Sequence, residues 1–476
     1  MSVDLERPLR NPDTGSIPLM TKRARWLVVL GFLLPGSAQM LAGNRKLGRF
    51  GVWATVLLVA LAVLALIGLS SAREFTLSVF TNSFVLLIVQ GIILAYAVLW
   101  LVLGFDTLRL TKLVRVSPKW RVPVAVLSVL LTVVPVLGAG WAAQAVGSAR
   151  GAIGGIFGGG APAVEPVNGR YNILLLGTDP GADREGLRPD SISLVSVDAE
   201  TGQSVIIGLP RELINMPFPE SSPLAPVYPE GFCVEPNSYE PVGEGGYDCY
   251  ATGFLNSLYS EVELSGSPTY EGMYADAVSR GSSPGIEATK DAVEGATGLT
   301  VQFYVLIDME GFSRLIDALG GVTINVQERL PIGGQLDDYG DLVNVDGWIE
   351  PGEQHMDGYT AQWYARSRYG SDRGDYDRMD RQRELQAAIL AQMNPTNVLL
   401  RFQELAATGT DLVQTDIPES MLGRFVDLAA KAKDFEPVRV QLTPPDVDPE
   451  YPDYDQIRAL VADGVAAASP VPETEE

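Results

Sequence analysis

A chain of 476 residues is too long for one ordinary domain and has ample material for a sizeable core. Its net charge of −23 hides an asymmetry: residues 1–150 carry 15 Lys+Arg against 5 Asp+Glu, and the remainder carries 20 against 53. A basic, apolar front joined to an acidic back suggests a membrane region followed by a soluble domain. The acidic balance argues against nucleic acid as a partner, since backbone binding needs a basic surface.

Three apolar stretches are long enough to cross a bilayer, for which roughly 20 residues suffice. They run from about Phe50 to Ser71, Phe80 to Phe105 and Val122 to Val146, with no interior Lys, Arg, Asp or Glu. Trp26 to Ala42 is apolar too, but Pro35, Gly36 and Gln39 interrupt it, and it could span, re-enter or lie at an interface. The tract Thr107 to Arg121 holds Arg109, Lys112, Arg115, Lys119 and Arg121, which places it on the cytoplasmic side. The last span then delivers everything beyond about Arg150 to the outside, for three spans or four. The expected localisation is the plasma membrane, multi-pass, with the soluble domain extracytoplasmic. No short h-region with a cleavage site stands alone at the front, so a cleavable signal peptide is not expected.

The chain divides as follows: residues 1–48 as a cytoplasmic or interfacial segment, 49–148 as the transmembrane region, 149–168 as a Gly/Ala/Pro linker. Residues 169–435 form the main domain, and 436–476 a C-terminal extension with a disordered end. Within the domain, Tyr171–Leu176, Ser191–Val197 and Ser204–Leu209 read as strands, the last two joined in a hairpin around Thr201-Gly202. Pro217 to Tyr247, full of Pro, Gly and acidic residues, reads as a long loop. Val301–Ile307 is a further strand, Gly311–Leu319 a helix stopped by Gly320-Gly321, and Val322–Val326 a strand. Asp357–Arg366 and Asp377–Met393 have helical spacing, with more helix expected from Val398 to Lys433. The expected fold is a set of N-terminal transmembrane helices followed by an α/β domain, an α-β-α sandwich on a mixed central sheet.

Cys233 and Cys249 lie 16 positions apart, and His355, the sole histidine, is far from both, so a closed zinc site is not available. Outside the cell a disulfide between them, stapling the long loop, is the natural expectation.

Three charged patches stand at the ends of expected elements. Asp179 follows Gly177-Thr178, and Asp190 follows Arg188-Pro189; two carboxylates at strand ends suit a hard cation such as Mg²⁺, although Asp after Gly is also ordinary turn chemistry. Arg211 follows Leu209-Pro210, where a lone arginine is most often a surface ion-pair partner. Arg366, Arg368, Arg373, Arg378, Arg381 and Arg383 fall within 18 residues of an otherwise acidic domain. Arginine's planar fork suits phosphate oxygens and stays charged at working pH. The same run also fits a solvated helix laced with Asp–Arg pairs.

In order along the chain come Tyr-Asn-Ile-Leu-Leu-Leu-Gly-Thr-Asp at 171–179, Arg-Pro-Asp-Ser-Ile-Ser-Leu-Val-Ser-Val at 188–197 and Leu-Pro-Arg at 209–211. Asp-Ala-Leu-Gly-Gly-Val at 317–322 follows, then Tyr-Ala-Arg-Ser-Arg and Asp-Tyr-Asp-Arg-Met-Asp-Arg-Gln within 364–382. This series resembles the LytR-CpsA-Psr family from about residue 170 to 393. The resemblance implies a Mg²⁺-dependent phosphotransferase that moves a glycopolymer from a polyprenyl-pyrophosphate carrier onto peptidoglycan through a phosphodiester link. It implies that Asp179 and Asp190 hold Mg²⁺, and that Arg188, Arg211, Arg366 and Arg368 grip the pyrophosphate. Asp375, Arg378 and Gln382, with Arg381 beside them, would line the same site, and Asp190 or Asp375 would take the acceptor's proton. Its partners would be the polyprenyl-pyrophosphate-linked glycan, peptidoglycan and the membrane.

The chain departs from the family pattern at Glu212, where Asp is frequent, and at Phe254-Leu255-Asn256, where a lysine often precedes the Asn. A prenyl pocket between sheet and helices would draw on Leu174, Leu176, Val195, Phe303, Val305 and Phe312, each of which also fits plain core. Two other functions are compatible with these residues. One is hydrolysis of the lipid-linked pyrophosphate with water as acceptor; the other is a non-catalytic membrane adaptor that binds lipid-linked precursors.

Overall fold

A computed structural model of the chain describes residues 9–157, 163–178, 188–232, 240–242, 246–248, 253–337, 339, 341–369, 374–392 and 413–469. Two compact units divide at residue 150.

The first unit is helical: α1 (Ile17–Leu33), α2 (Ser37–Ala42), α3 (Arg45–Ser71), α4 (Arg73–Thr81), α5 (Ser83–Thr111) and the greater part of α6 (Pro118–Ile156). The helices α3, α5 and α6 are long and apolar enough to cross a membrane, and they contain the three apolar runs. Asn44 and Asn82 start α3 and α5, each side chain accepting from backbone N–H groups of the first turn.

The segment that the sequence left open is a hairpin. At its start, Arg23 Nη1 donates to Leu110 O at 2.7 Å, at the end of α5. At its turn, the ring of Phe32 meets Trp100 edge-on at 6.1 Å. On the way back, buried Gln39 donates to Leu103 O at 2.9 Å and to Thr107 Oγ1 at 3.0 Å, and Gly43 returns to Leu110. The pair α1–α2 thus enters and leaves at the same end of α5, reaching along about ten residues, roughly 15 Å. Gly36 makes the turn at φ +97°, and a Cβ there would stand 2.4 Å from Gly48 O. Only glycine lets these backbones approach so closely.

Residues 151–156, expected as linker, continue α6, and Ile153 is buried. Residues 158–162 lie outside the described residues.

The second unit is built on a six-stranded mixed sheet in the order β11-β6-β1-β2-β3-β12. Its strands are β1 (Arg170–Thr178), β2 (Pro189–Asp198), β3 (Ser204–Leu209), β6 (Phe303–Asp308), β11 (Val413–Thr415) and β12 (Val438–Gln441). Between β3 and β6 lie the short hairpin β4 (Glu240–Val242) and β5 (Gly246–Asp248), then α7 (Leu255–Leu264) and α8 (Pro284–Thr297). After β6 come α9 (Met309–Leu319), β7 (Val322–Val326), the hairpin β8 (Leu330–Leu336) and β9 (Leu342–Ile349), and β10 (Gly352–Met356). The helices α10 (Gly358–Arg366), α11 (Asp375–Gln392), α12 (Leu422–Lys431) and α13 (Tyr454–Ala467) complete the described elements.

Alternation along the strands assigns each face. Leu174, Leu176, Ile192, Leu194, Val205, Ile207, Tyr304 and Leu306 point to one side, where α7, α8 and α13 close the main core. Leu175, Gly177, Ser191, Val195, Ile206, Val305 and Ile307 point to the other, towards α9, α10 and α11. The expected α-β-α sandwich with a mixed sheet is the architecture found.

Two expectations for the C-terminal part are corrected. Residues 413–415, expected as helix, pair with β6 as an edge strand. Residues beyond 435 are no appendage: β12 pairs in parallel with β3, Ile457 and Val461 of α13 are fully buried, and Arg170 Nη1 donates to Ala468 O at 3.2 Å. The Ala-rich composition of α13 suited close packing on the sheet. Residues 470–476, 393–412 and both cysteines, Cys233 and Cys249, lie outside the described residues.

Candidate active site

The strand-end chemistry is built around a β-bulge. Gly177 pairs with Ser191 and Thr178 with Pro189, so Asp190 is an extra residue that has no partner in the register. Bulges of this kind re-aim a side chain at a sheet edge. The Asp190 carboxylate is met by Arg211, just after β3, whose Nη1 donates to Asp190 Oδ1 at 2.5 Å.

The same guanidinium reaches across to the start of α11. Arg211 Nε lies 3.5 Å from Asp375 Oδ2 and 3.4 Å from Glu212 Oε1. Glu212, longer than the family's usual Asp, still reaches the arginine beside it. Burial alone would lower the Arg211 guanidinium, but Asp375, Asp190 and Glu212 outweigh it and hold it above its ordinary value. Asp375 gathers two further arginines: Arg368 Nε at 3.3 Å and Arg378 Nη2 at 2.9 Å. Arg378 also approaches Asp190 O at 3.4 Å. Three arginines from three elements thus converge on Asp375, between the end of α10 and the start of α11.

The other arginines are placed differently. Arg381 donates through Nε to Tyr364 O at 3.1 Å and through Nη2 to Ser367 O, so it is buried as a staple on the last carbonyls of α10. Arg383 lies across Gly208, paired with Asp380. Arg366 is exposed, its guanidinium 5.5 Å from the Trp363 ring centroid. Arg188 is exposed just ahead of β2. Gln382 donates to Ala365 O at 3.1 Å and turns its side chain to the cavity below.

That cavity, of about 270 Å³, lies between the sheet and α9–α11. Its walls are Leu175, Val195, Ile206, Val305, Phe312 and Leu315, with Ile389 and Leu390 from α11. Near the charged cluster the lining changes to Gly177, Ser191, Ala365 and Gln382, small or polar groups that leave the mouth open. Of the six apolar residues considered for a prenyl pocket, Val195, Val305 and Phe312 line it, and Leu176 borders it while its side chain points to the main core. Leu174 is main core on the opposite face, and Phe303 packs with Tyr171 and Phe425 at the far end. The signal sequence reasoning passed over was the small-residue row: Ser193 stands opposite Gly208 and accepts from Gln386 Nε2 at 3.3 Å.

A hard cation finds part of an oxygen set here. Thr178 Oγ1 is buried without a hydrogen-bond partner among the described residues, and its strand partner directly precedes Asp190. Asp179 lies outside the described residues. Among the described residues no group of three or more carboxylate, His or Cys side chains forms a ready cage. The oxygens of Thr178 and Asp190 are donors of the type Mg²⁺ takes, an ion usually held by one or two protein ligands with ligand oxygens completing its shell.

Residues 252–456 match the LytR_cpsA_psr family model. The chain carries a LytR-CpsA-Psr domain. The matched region holds α7 to the start of α13, including Arg366, Arg368, Asp375 and Arg378; the motifs of β1 to β3 precede it. The polyisoprenyl-teichoic acid–peptidoglycan teichoic acid transferase TagU of Oceanobacillus iheyensis is 25% identical over 265 residues, covering 55% of this chain and 63% of that protein. The cell wall biosynthesis protein LcpA of Corynebacterium glutamicum is 26% identical over 386 residues, covering 75% of this chain and 67% of that one. Biofilm regulatory protein A of Streptococcus mutans is 24% identical, and the match spans about half the length of each chain. Among solved structures, Bacillus subtilis TagV is 18% identical with a TM-score of 0.39, covering 64% of this chain and 98% of that one. Beyond the LytR-CpsA-Psr domain lie the helices of the first unit, which the family model does not cover.

Proposed function

We propose that the chain is a membrane-anchored phosphotransferase that moves a glycopolymer from a polyprenyl-pyrophosphate carrier onto peptidoglycan. One observation carries the reading: an arginine-rich charged cluster stands at the open mouth of an apolar cavity, a pairing suited to a ligand with an anionic head and a hydrocarbon tail. Relatives named as teichoic acid transferases support it.

The prenyl chain would enter beneath Ser191 and Gln382, leaving the pyrophosphate against Arg211, Arg368 and Arg378. Arg366 and Arg188, both exposed, would engage the glycan-side phosphate. These cations offset the charge that develops as the sugar hydroxyl's oxygen bonds to phosphorus and the bond to polyprenyl phosphate breaks. Asp375 Oδ1 faces Arg368 Nε at 3.3 Å without a hydrogen bond among the described residues, and would take the hydroxyl proton. Asp190, with Asp179, would hold Mg²⁺, which supplies charge neutralisation on the pyrophosphate oxygens. The basic tract between α5 and α6 supports a cytoplasmic loop there and a domain outside, a topology that an alkaline phosphatase fusion after Arg170 tests by its activity.

The test uses the full chain in detergent with a polyprenyl-pyrophosphate-linked glycan and peptidoglycan. Glycan joined to peptidoglycan is expected, and its loss is expected in Arg368→Ala. Val195→Trp, which fills the cavity from the sheet side, should reject long prenyl chains while still turning over short ones. Release of free phosphorylated glycan alone would favour hydrolysis, and lipid binding without turnover would favour an adaptor. Equal use of all chain lengths by Val195→Trp would remove the cavity from the reading.

A further inference from the structure

A second cavity, of about 640 Å³, lies on the same unit outside the cluster just described. Its size falls in the roughly 300–1,000 Å³ range of ligand pockets. It is walled by residues 215–231 and 450–454, two segments tied together where Ile214 N donates to Pro449 O at 3.4 Å and Tyr454 Oη to Ile214 O at 2.6 Å.

The lining has an uncommon chemistry for a phosphotransferase. Aromatic rings come from Phe218, Tyr228 and Tyr451, the first two with centroids 5.9 Å apart and the last 68% exposed. Carboxylates come from Glu220, Glu230 and Glu450, and no lysine or arginine among the described residues lines the space. Asn215 completes it: held at φ +53°, it carries a buried Oδ1 without a hydrogen-bond partner among the described residues. Aromatic faces beside hydrogen-bond acceptors suit a ring that has apolar C–H faces and hydroxyl donors at its edge. Three carboxylates with no countercharge repel a phosphate-bearing or carboxylated polymer, since like charges brought together across an interface cost several kcal/mol.

The groove is close to the reaction centre along the chain: Asn215, which lines it, follows Arg211 by four positions, at most about 14 Å of backbone. Tyr376, next to Asp375, has its phenol raised by burial and then by Glu212, Asp448 and Glu450, so the groove's Glu450 lies within electrostatic reach of the start of α11.

We infer that this groove binds the acceptor, a hydroxyl-rich glycan that is uncharged or carries free amines, and that it turns away the anionic donor polymer. Its role as acceptor subsite rests on the transferase reading; its capacity to bind such a glycan does not.

The test is calorimetric titration of the full chain in detergent with chitotetraose, with its fully deacetylated counterpart, and with a hyaluronan tetrasaccharide as the anionic probe. The first two should bind, and the third should bind at least about tenfold more weakly. Tyr451→Ala and Glu450→Gln, both at exposed positions, should each weaken chitotetraose binding by about tenfold, while polyprenyl pyrophosphate binding stays unchanged. No binding of either neutral or amine-bearing sugar, equal binding of hyaluronan, or variants without effect would each overturn the inference. Tetralysine bound with the sugars ignored would overturn it in favour of a cationic peptide site. If transfer fails while the sugar titrations come out as expected, the transferase reading falls and the glycan site stands.

Discussion

Arg378 Nη2 lies 2.9 Å from Asp375 Oδ2, one turn back on α11, and the arginine is only 3% exposed. Burial pushes its guanidinium down to about 10 against the pull of Asp375, and Arg368 and Arg211 push the same way. A cation held at a cost in the free protein gains most when an anion arrives. Arg378→Met should therefore leave the melting temperature unchanged or raised at neutral pH, because Asp375 keeps Arg211 and Arg368. It should lower transfer by about 100-fold or more, in the range of losing one preorganised charge contact. A lowered melting temperature with transfer retained would assign Arg378 to the scaffold instead. The sign also fixes the alkaline limb: the folded state binds fewer protons here, so this group's contribution to stability rises as pH climbs above about 10.

Gly208 on β3 stands directly under Arg383. A Cβ at this position would fall 2.1 Å from Arg383 Nη1 and 3.0 Å from its Cδ, and the arginine is 2% exposed. Gly208→Ala should destabilise the domain by about 1–3 kcal/mol, the usual cost of overpacking, read as a lower urea midpoint. Arg383→Ala should rescue much of the crowding in the double variant. An undiminished midpoint in Gly208→Ala would show that the arginine swings aside freely.

How much of this was legible beforehand depends on where the signal was local. Strand alternation gave β1 to β3, and the apolar runs gave α3, α5 and α6. Helical spacing from Asp357 to Arg366 and the Gly320-Gly321 stop marked α10 and α9 to within a residue or two. Helix α8 was legible but unread: Ser283 caps it, Pro284 opens it and Gly298 ends it at φ +74°. The hairpin β8–β9 was hidden by its Gly-rich, acidic composition, and β12 by being only four residues long. In the site, the sequence brought the right arginines to the right neighbourhood but could not divide them. Arg381 and Arg378 are three apart on one helix, yet one caps α10 and the other faces Asp375. That division depends on which neighbouring helix end each side chain meets, a tertiary fact.

Asp291 on α8 is half-buried against Tyr274, whose Oη donates to its Oδ2 at 2.6 Å. Burial raises its carboxyl above the ordinary 3.8, with Glu287 adding to the rise, while the hydrogen bonds from Ser222 and Tyr274 and the charge of Lys290 oppose it. A raised folded-state value contributes stability that is full below pH 3.8 and is lost as pH rises through the shifted value. Asp291→Asn lacks that loss, so the variant should gain on the native chain as pH rises above 3.8. Urea midpoints at four pH values measure it; a difference that is flat with pH would refute the assignment.

Gln39 anchors the returning arm of the first unit's hairpin to α5. Gln39→Leu removes two donated bonds and leaves Leu103 O and Thr107 Oγ1 to each other, a bond they already share at 2.7 Å. The expected loss is about 0.6 kcal/mol, the average for polar contacts inside membrane bundles. Thermal inactivation in detergent micelles measures it, and a shift of many degrees would mean that the hairpin itself unravels.

Strand β2 places Ile192 and Leu194 in the main core and Ser191, Ser193 and Val195 towards the cavity. Side chains alternate with period two, so a one-residue deletion between Asp190 and Val195 would exchange the two sets. Serines would then enter the driest layer of the sandwich while isoleucine and leucine blocked the cavity. It would also abolish the bulge that aims Asp190. Point substitutions at these serines should be tolerated by folding far better than any change in strand length, so natural variation here is expected as replacements and not as gaps.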